Sequence, residues 1–281
     1  MSRLRTLATG MGLVESPRWH QGRLYVSDWT AGEVCAVGPD GTVEVVASVG
    51  ALPLCTAWSP DGRMTIVDSP RSRLLRREPD GTLAVRADLG ALGRWWNDIV
   101  VDGRGNTYVN RIGFDMLAGE QPVPGHVTLV TPDGTARDVA GGLLFPNGMA
   151  VTPDNSTLVV ADSYARRLVG FDIGPDGSLS EGRPWAELGA DAPDGICVDA
   201  EGAVWYATVP GMRCARVRQG GEVLETVELD RGGFACTLGG PDGRTLFVAA
   251  AEWLGPGAEP VRPGSGRVLA VEVTVPGAGW P

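Results

Sequence analysis

Four polar residues stand immediately before short apolar runs at widely separated points of the chain. Glu15 opens ESPRW, Asn97 opens NDIVVD, Asn147 opens NGMAVT and Asp194 opens DGICVD. Carboxylate and carboxamide oxygens suit hard divalent cations such as Ca²⁺, Mg²⁺ and Mn²⁺, and Zn²⁺ also accepts carboxylate oxygens. In a partly dehydrated site these groups are costly unless something pairs with them. The residue types therefore predict a divalent-cation site, provided that the fold brings the four together.

Two of these residues have a second interpretation. Asn147 and Asp194 are each followed by glycine, and Asn-Gly and Asp-Gly are also ordinary turn dipeptides. Spacing alone leaves both interpretations open.

A repeated phrase indicates which element would position these residues. Six times a turn rich in Pro, Asp and Gly is followed by a run of β-formers, whose equivalent residues are Tyr25, Thr65, Tyr108, Val159, Trp205 and Phe247. The steps between them are 40, 43, 51, 46 and 42 residues. A period of this size with several strands per unit is typical of a β-propeller. We therefore predict an all-β fold, a six-bladed β-propeller.

A second turn in each of the first five units predicts two hairpins, and so four strands, per blade. The sixth unit ends after residues 264–275 without a second hairpin, whereas residues 3–8 precede the inner strand of the first unit. An N-terminal strand is therefore expected to complete the last blade, close the ring and leave no exposed sheet edge. Because no change of composition marks a linker, residues 1–281 are predicted to form a single domain.

The inner strands of a propeller line its central channel, so the residues that begin them converge at one mouth. Counting back ten to twelve residues from the equivalent positions gives Glu15, Cys55, Asn97, Asn147, Asp194 and Cys236. Four of the six carry polar oxygens, and the two cysteines are expected to be small packing residues. Asp98, next to Asn97, is expected to point to the other face of its strand.

Composition excludes several classes of function. The net charge of −10 disfavours nucleic acid and anionic membranes as partners. The chain contains no lysine, which excludes Schiff-base chemistry and a P-loop. Its two histidines, His20 and His126, offer little to a catalytic triad or a histidine-rich zinc site. The five scattered cysteines predict reduced thiols. With neither a signal-like opening nor a membrane-length apolar stretch, we expect a cytoplasmic protein.

Four segments resemble signature segments of the senescence marker protein/gluconolactonase/regucalcin family: residues 13–19, 96–109, 145–163 and 193–207. The resemblance extends over about residues 10–255 and implies a six-bladed propeller with one divalent cation over the central channel. It favours Ca²⁺, with Zn²⁺, Mg²⁺ and Mn²⁺ as alternatives. Carried over residue by residue, it implies Glu15, Asn147 and Asp194 as metal ligands, Asp194 also as general base, and Asn97 as a substrate contact.

One position departs from the family pattern. Sugar-lactone members carry an arginine two places before this asparagine, whereas this chain has Trp95, with Arg94 one residue further back. An extended segment would point Arg94 to the opposite face. A polyhydroxylated lactone is therefore in doubt, and Trp95 and Trp96 suggest a flatter, more apolar substrate. The alternative is that the tryptophan pair packs against a blade.

These observations predict a metal-dependent lactonase that opens a small-molecule lactone with activated water. Asp194 would accept the proton of that water, Asn97 would orient the substrate, and Arg94, Trp95 and Trp96 would line the substrate site. Two alternatives stay open: a hydrolase or isomerase acting on a non-sugar natural product, and a non-catalytic propeller that binds calcium or a small ligand. The longest repeat step comes from an insertion at residues 114–126, which is a candidate lid.

Overall fold

The computed structural model describes residues 4–50, 52–116, 118–255 and 259–279. Within these ranges the chain forms twenty-four β strands and one short 3₁₀ turn, Ser69–Arg71. The strands, β1 to β24 in chain order, are Arg5–Met11, Val14–His20, Arg23–Asp28, Glu33–Val37, Val43–Ser48, Thr56–Trp58, Met64–Asp68, Arg73–Arg77, Leu83–Asp88, Trp96–Val101, Thr107–Arg111, Gly125–Val130, Ala136–Leu143, Pro146–Val151, Thr157–Asp162, Arg167–Asp172, Arg183–Glu187, Ile196–Val198, Val204–Thr208, Arg213–Val217, Val223–Glu228, Gly232–Gly239, Thr245–Ala251 and Gly266–Glu272. No helix in the described residues is long and apolar enough to cross a membrane.

The strands form six antiparallel sheets of four strands each, which are the six blades of a β-propeller. Blades 1 to 5 are β2–β5, β6–β9, β10–β13, β14–β17 and β18–β21, each in simple up-and-down order. Blade 6 contains β22, β23 and β24, and β1 supplies its outer strand. Arg5 pairs with Ala270 and Met11 with Gly266. The predicted all-β fold, the number of blades and the closure by an N-terminal strand are confirmed.

The core consists of layers between neighbouring blades. Six clusters of buried apolar side chains each join the facing surfaces of two adjacent blades, and the last joins blade 6 to blade 1. Burial decreases outward: the second strand β7 is buried throughout, whereas the outer strand β21 alternates between exposed and half-buried residues. An inner strand covered on both faces needs apolar residues on both, and an outer strand does not.

The two ends of the ring differ in the connections that they carry. The site face is the end where the first strand of each blade begins. It carries the described residues 12–13, 29–32, 49–50, 52–55, 69–72, 89–95, 112–116, 118–124, 144–145, 163–166, 188–195, 209–212, 229–231, 252–255 and 259–265. The turn face, at the opposite end, carries the hairpin connections 21–22, 38–42, 59–63, 78–82, 102–106, 131–135, 152–156, 173–182, 199–203, 218–222 and 240–244.

Candidate functional site

A small cavity lies on the channel axis at the site face. Its volume of about 10 Å³ has room for one water-sized occupant. The lining residues are Glu15, Ser16, Arg18, Trp29, Cys55, Asn97, Asp98, Asn147, Gly195 and Ala235. Burial and then the charge of Glu15 raise the pKa of the Asp194 carboxyl group and the side chain of Asn147 lowers it, so the three residues are neighbours. Closure of the ring thus brings the four polar residues singled out in the sequence to one place.

The glycines after Asn147 and Asp194 are not turn residues. Neither Gly148 nor Gly195 has a positive φ. A Cβ atom on Gly195 would lie 2.3 Å from the Cβ of Ala235, and one on Gly148 would lie 2.5 Å from the carbonyl oxygen of Asp194. The amide of Gly148 donates to that same oxygen at 3.1 Å. The glycines therefore allow the inner strands of blades 4, 5 and 6 to approach closely, and the turn interpretation of both dipeptides is wrong.

Four inner strands lose their regular pairing at the site. The register shifts between Glu15 and Arg18 in β2, between Trp96 and Ile99 in β10, between Pro146 and Met149 in β14, and between Gly233 and Ala235 in β22. Such irregularities redirect side chains and are frequent next to functional sites.

The irregularity in β10 corrects the prediction for Asp98. Strict alternation would place Asp98 opposite Asn97, but both residues line the cavity. The Asp98 carboxylate accepts a hydrogen bond from the amide of Met149 at 3.0 Å and forms a 3.0 Å ion pair with Arg18. It therefore links blades 1, 3 and 4 beneath the cavity.

Glu15 is held in place by its neighbour. Ser16 adopts a left-handed conformation with φ 48°, and its amide donates to Glu15 Oε2 at 2.7 Å. The Ser16 hydroxyl accepts a hydrogen bond from the amide of Thr56 at 2.9 Å, which joins blade 1 to blade 2. A strained residue held by contacts on both sides is typical of functional sites.

Glu15 and Asp194 have too little positive charge nearby to balance two ionised carboxyl groups. Burial raises the pKa of Glu15 to about 8, the charge of Asp98 adds to the rise, and the Ser16 amide and Arg18 oppose it. Burial, followed by the charges of Glu15 and Asp98, also raises the pKa of Asp194 well above its ordinary value. Arg18 is bonded to Asp98 and to two backbone carbonyls. The site is therefore electrostatically suited to receive a cation.

The carboxamides form their own network. Asn97 Nδ2 donates to Asn147 Oδ1 at 3.3 Å, and Asn110 Nδ2 donates to the carbonyl oxygen of Asn147 at 2.5 Å. Asn110, fully buried at the end of β11, also accepts a hydrogen bond from the amide of Asp98 at 3.1 Å. The sequence prediction missed Asn110, Ser16, Arg18 and Trp29, and the polar Asn110 within the apolar run TYVNR was the signal for one of them.

The tryptophan pair divides between two environments. Trp96 is completely buried in the layer between blades 2 and 3. Trp96 is therefore a core residue in this structure. It packs against a blade, which was the alternative, and does not make the predicted substrate contact. Trp95 is half-buried on the site face with φ 65°, and the Arg94 guanidinium lies 5.0 Å from the centre of its ring. Arg94 and Trp95 thus form one stacked unit above β10 rather than pointing to opposite sides.

Other predicted features lie at the periphery. The connection 112–124 is on the site face, and its Phe114 packs against Phe145 and Tyr164. Residue 117 is outside the described residues, and the role of this insertion as a lid stays a prediction. His20 lies at the turn face, and all five cysteines are buried free thiols.

The site offers few side chains that could serve as metal ligands. Within the described ranges, no group of three or more His, Cys, Asp or Glu side chains is arranged to hold a metal ion. The predicted ligands are two carboxylates, Glu15 and Asp194, and the amide oxygen of Asn147. An amide oxygen is an ordinary ligand for a hard cation.

Comparison with known proteins identifies the family of the chain. The sequence model of the family described as SMP-30/Gluconolactonase/LRE-like region matches residues 13–252. The chain belongs to this family. The resemblance noted from the four segments is therefore confirmed.

Individual relatives are distant. The 6-deoxy-6-sulfogluconolactonase of Pseudomonas putida is 29% identical over 171 residues, which cover 56% of each protein. Regucalcin of Xenopus laevis is 28% identical over 250 residues, covering 84% of this chain and 82% of that protein. A solved structure described as a calcium-binding protein, regucalcin, from Agrobacterium tumefaciens has a TM-score of 0.82 at 21% identity and covers 100% of this chain and 97% of that one. At this identity the solved structure supports the fold alone.

Proposed function

We propose that the protein is a divalent-cation-dependent lactonase that opens a small-molecule ester ring at the cavity on the site face. The observation that carries the proposal is a cavity with room for one small occupant, lined by Glu15 and Asn147 and adjoined by Asp194, with too little positive charge for its buried acids. Family membership and the name of the Pseudomonas relative support the type of reaction.

The residues fit a hard cation. Burial raises the pKa of both Glu15 and Asp194, and a positive charge beside them would stabilise both as carboxylates. Glu15, Asn147 and Asp194 would hold the ion through oxygen atoms. Ca²⁺ is favoured because it accepts carboxylate and amide oxygens in adaptable geometry, and Mg²⁺, Mn²⁺ and Zn²⁺ are the alternatives.

The bound cation would supply a Lewis acid that polarises the lactone carbonyl and makes water more acidic. Asp194 accepts the proton of the attacking water and returns it to the ring oxygen as the ring opens. Asn97 donates a hydrogen bond that orients the substrate, and its own position is fixed by Asn147. The Arg18–Asp98 pair and Asn110 keep blades 1, 3 and 4 in register beneath the reacting groups.

A second candidate is a propeller that binds calcium or a small ligand without turnover. The regucalcin relative, which covers most of this chain, favours it, and the same residues would serve it. A third candidate keeps the cation site but hydrolyses or isomerises a non-sugar natural product. The replacement of the family's arginine by Trp95 favours this third candidate.

The test combines metal analysis with turnover. The purified protein is measured for bound metals, stripped with a chelator, reloaded separately with Ca²⁺, Mg²⁺, Mn²⁺ and Zn²⁺, and titrated for acid release on γ- and δ-lactones. We expect acid release that is lost on stripping and restored by at least one cation. Tight cation binding without turnover on any lactone or ester would favour the binding protein. A product of unchanged mass would favour an isomerase, because hydrolysis adds water.

A further inference from the structure

Exposed large apolar side chains are distributed unevenly over the surface. Within the described residues, those outside the outer strands β5, β9 and β21 all lie on the site face: Leu52, Val123, Leu144, Tyr164, Met212, Trp253 and Leu254. The described turn-face connections contribute none to this set. Exposed apolar surface concentrated on one face marks a place where something apolar binds.

Apolar side chains also surround the polar cavity. Trp29 lines it directly and packs at the edge of a cluster formed by Leu13, Phe234, Ala251 and Val261. Leu13, Trp95, Phe145 and Phe234 each stand two residues before a position at the channel mouth. We call Leu13, Trp29, Trp95, Phe145 and Phe234 the apolar collar.

The collar continues outward as aromatic pairs. Phe145 contacts Tyr164 with ring centroids 4.7 Å apart, and Phe234 contacts Trp253 at 5.9 Å in an edge-on arrangement. Tyr164 and Trp253 are 47% and 37% exposed, so each leaves an aromatic surface available to a ligand. Two members of the apolar collar are thus each extended toward solvent by a partly exposed aromatic ring.

Three cationic side chains on this face already have partners. Arg18 is paired with Asp98, and Arg111 holds Asp138 through two bonds of 2.7 Å. The Arg94 guanidinium stacks on Trp95. A sugar lactone brings several hydroxyl groups, and each one placed against an apolar wall without a partner is costly. The collar therefore disfavours a polyhydroxylated substrate.

We infer that the substrate is a lactone with an apolar alkyl or aryl substituent, which the collar binds while Glu15, Asn147, Asp194 and Asn97 act on the ring. This inference rests on the proposed function and adds the substrate class to it. It identifies Trp95, Phe145 and Phe234, with Tyr164 and Trp253 at the rim, as residues that determine specificity.

The test compares lactones that share one ring and differ only in the substituent on it. Hydrolysis of γ-butyrolactones with γ-alkyl chains from methyl to hexyl is compared with γ-phenyl-γ-butyrolactone and with aldonolactones. We expect kcat/KM to rise by up to about fourfold per methylene until the chain passes the collar, because a buried methylene contributes about 0.8 kcal/mol. Aldonolactones should be slower than the hexyl compound by about 100-fold, the scale on which an apolar pocket rejects hydroxyl groups.

Two exposed rim residues give variants that should fold. Trp253→Ala and Tyr164→Ala should flatten the dependence of kcat/KM on chain length, because each removes an aromatic ring from the rim that binds the alkyl chain. Val45→Ala, an equally exposed apolar residue on outer strand β5, is the matched control and should preserve the dependence. Thermal melts of all three variants show whether the fold is retained.

A binding measurement separates the inference from the proposed function. Binding of the γ-hexyl lactone and of an aldonolactone is followed by calorimetry on the parent protein and on Trp253→Ala after the cation has been stripped, so that neither lactone is turned over. Aldonolactones that are turned over as fast as the alkyl series would overturn the apolar substrate and leave the lactonase intact. If no lactone is hydrolysed, binding that strengthens with chain length and weakens in Trp253→Ala would support the collar while the lactonase fails. Binding and turnover that are both independent of chain length would overturn the inference.

Discussion

The two faces of the propeller use acidic residues in opposite ways. On the turn face, Asp40, Asp80, Asp133, Asp154 and Asp176 each accept hydrogen bonds from the hydroxyl group and the backbone amide of the residue two positions later. Hydroxyl donors, followed by backbone amides, lower the pKa of each of these carboxyl groups. On the site face, burial and like charge raise the pKa of Glu15 and Asp194.

The difference lies in where the partners come from. Each of these five carboxylates receives its hydroxyl and amide hydrogen bonds within its own loop, so this arrangement repeats with the blades. Asp176 also pairs with an arginine of the neighbouring blade, Arg137. Glu15 and Asp194 belong to blades 1 and 5, and only closure of the ring places them at one cavity. The turn face thus contains the local interactions that recur in the blades and specify the fold. The site face contains residues that differ from blade to blade, and such departures from the repeat are where function is expected.

The largest effect should follow from removing one charge on the site face. Asp194→Asn should lower lactone turnover by about 100-fold or more, because it removes the general base and one cation ligand. Asp40→Asn on the turn face is the matched control and should leave turnover and cation content unchanged. Initial rates and metal analysis of both variants check this, and equal losses in the two would break the contrast between the faces.

The raised pKa of Glu15 predicts an unusual dependence of stability on pH. In the cation-free protein the folded state retains the Glu15 proton up to a pKa of about 8, against 4.5 for the free side chain. The stability that the folded state gains from holding this proton is therefore fully present below pH 4.5 and is lost as the pH rises through 8. The loss is a few kcal/mol in the free energy of unfolding. Thermal melts of stripped protein across this range should show the loss.

Glu15→Gln isolates this contribution from the other titrating groups. The difference in melting temperature between the parent protein and this variant should shrink as the pH is lowered, and saturating Ca²⁺ should stabilise the parent more than the variant at high pH. A difference that does not vary with pH would mean that Glu15 titrates normally and that the cavity is not short of positive charge.

The two kinds of glycine give a smaller and purely structural contrast. Gly195→Ala would force a Cβ to within 2.3 Å of Ala235 and should cost about 2 kcal/mol or more through overpacking between blades. Gly22→Ala at a turn has no atom within 4 Å of the new Cβ but a φ of 78°, so it should cost about 1 kcal/mol through backbone strain alone. Denaturant unfolding of both variants measures the difference, and a smaller cost for Gly195→Ala would contradict the close approach of blades 5 and 6.

The fold could be predicted from sequence because each unit repeats the same local turn chemistry. Asp-Gly turns, β-rich runs and a steady period specify hairpins, and the count of repeats specifies the ring. Glu15, Asn147 and Asp194 were identifiable because counting back from the repeat locates the start of each inner strand.

The finer features of the site depend on contacts between blades. Asp98 reaches the cavity only because β10 loses its register between Trp96 and Ile99, and alternation along a regular strand predicts the reverse. Asn110 contributes through a hydrogen bond to the next blade, 37 residues away in sequence. Trp95 and Trp96 are adjacent and chemically identical, and only the layer between blades 2 and 3 separates a core residue from one on the surface.

The smallest expected effect is the most demanding test of the contrast between the faces. Asp80→Ala removes the hydrogen bonds at 2.9 and 2.7 Å that hold the turn before β9. It should lower the free energy of unfolding only slightly, because the loop is exposed and water replaces the lost partner. Asp80→Asn should cost less, since asparagine supports the same turn. Turnover with any lactone should be unchanged in both variants, because the site face derives none of its contacts from this loop. A loss of turnover without a loss of stability would show that the two ends of the blade are coupled and that fold and function are not divided between them.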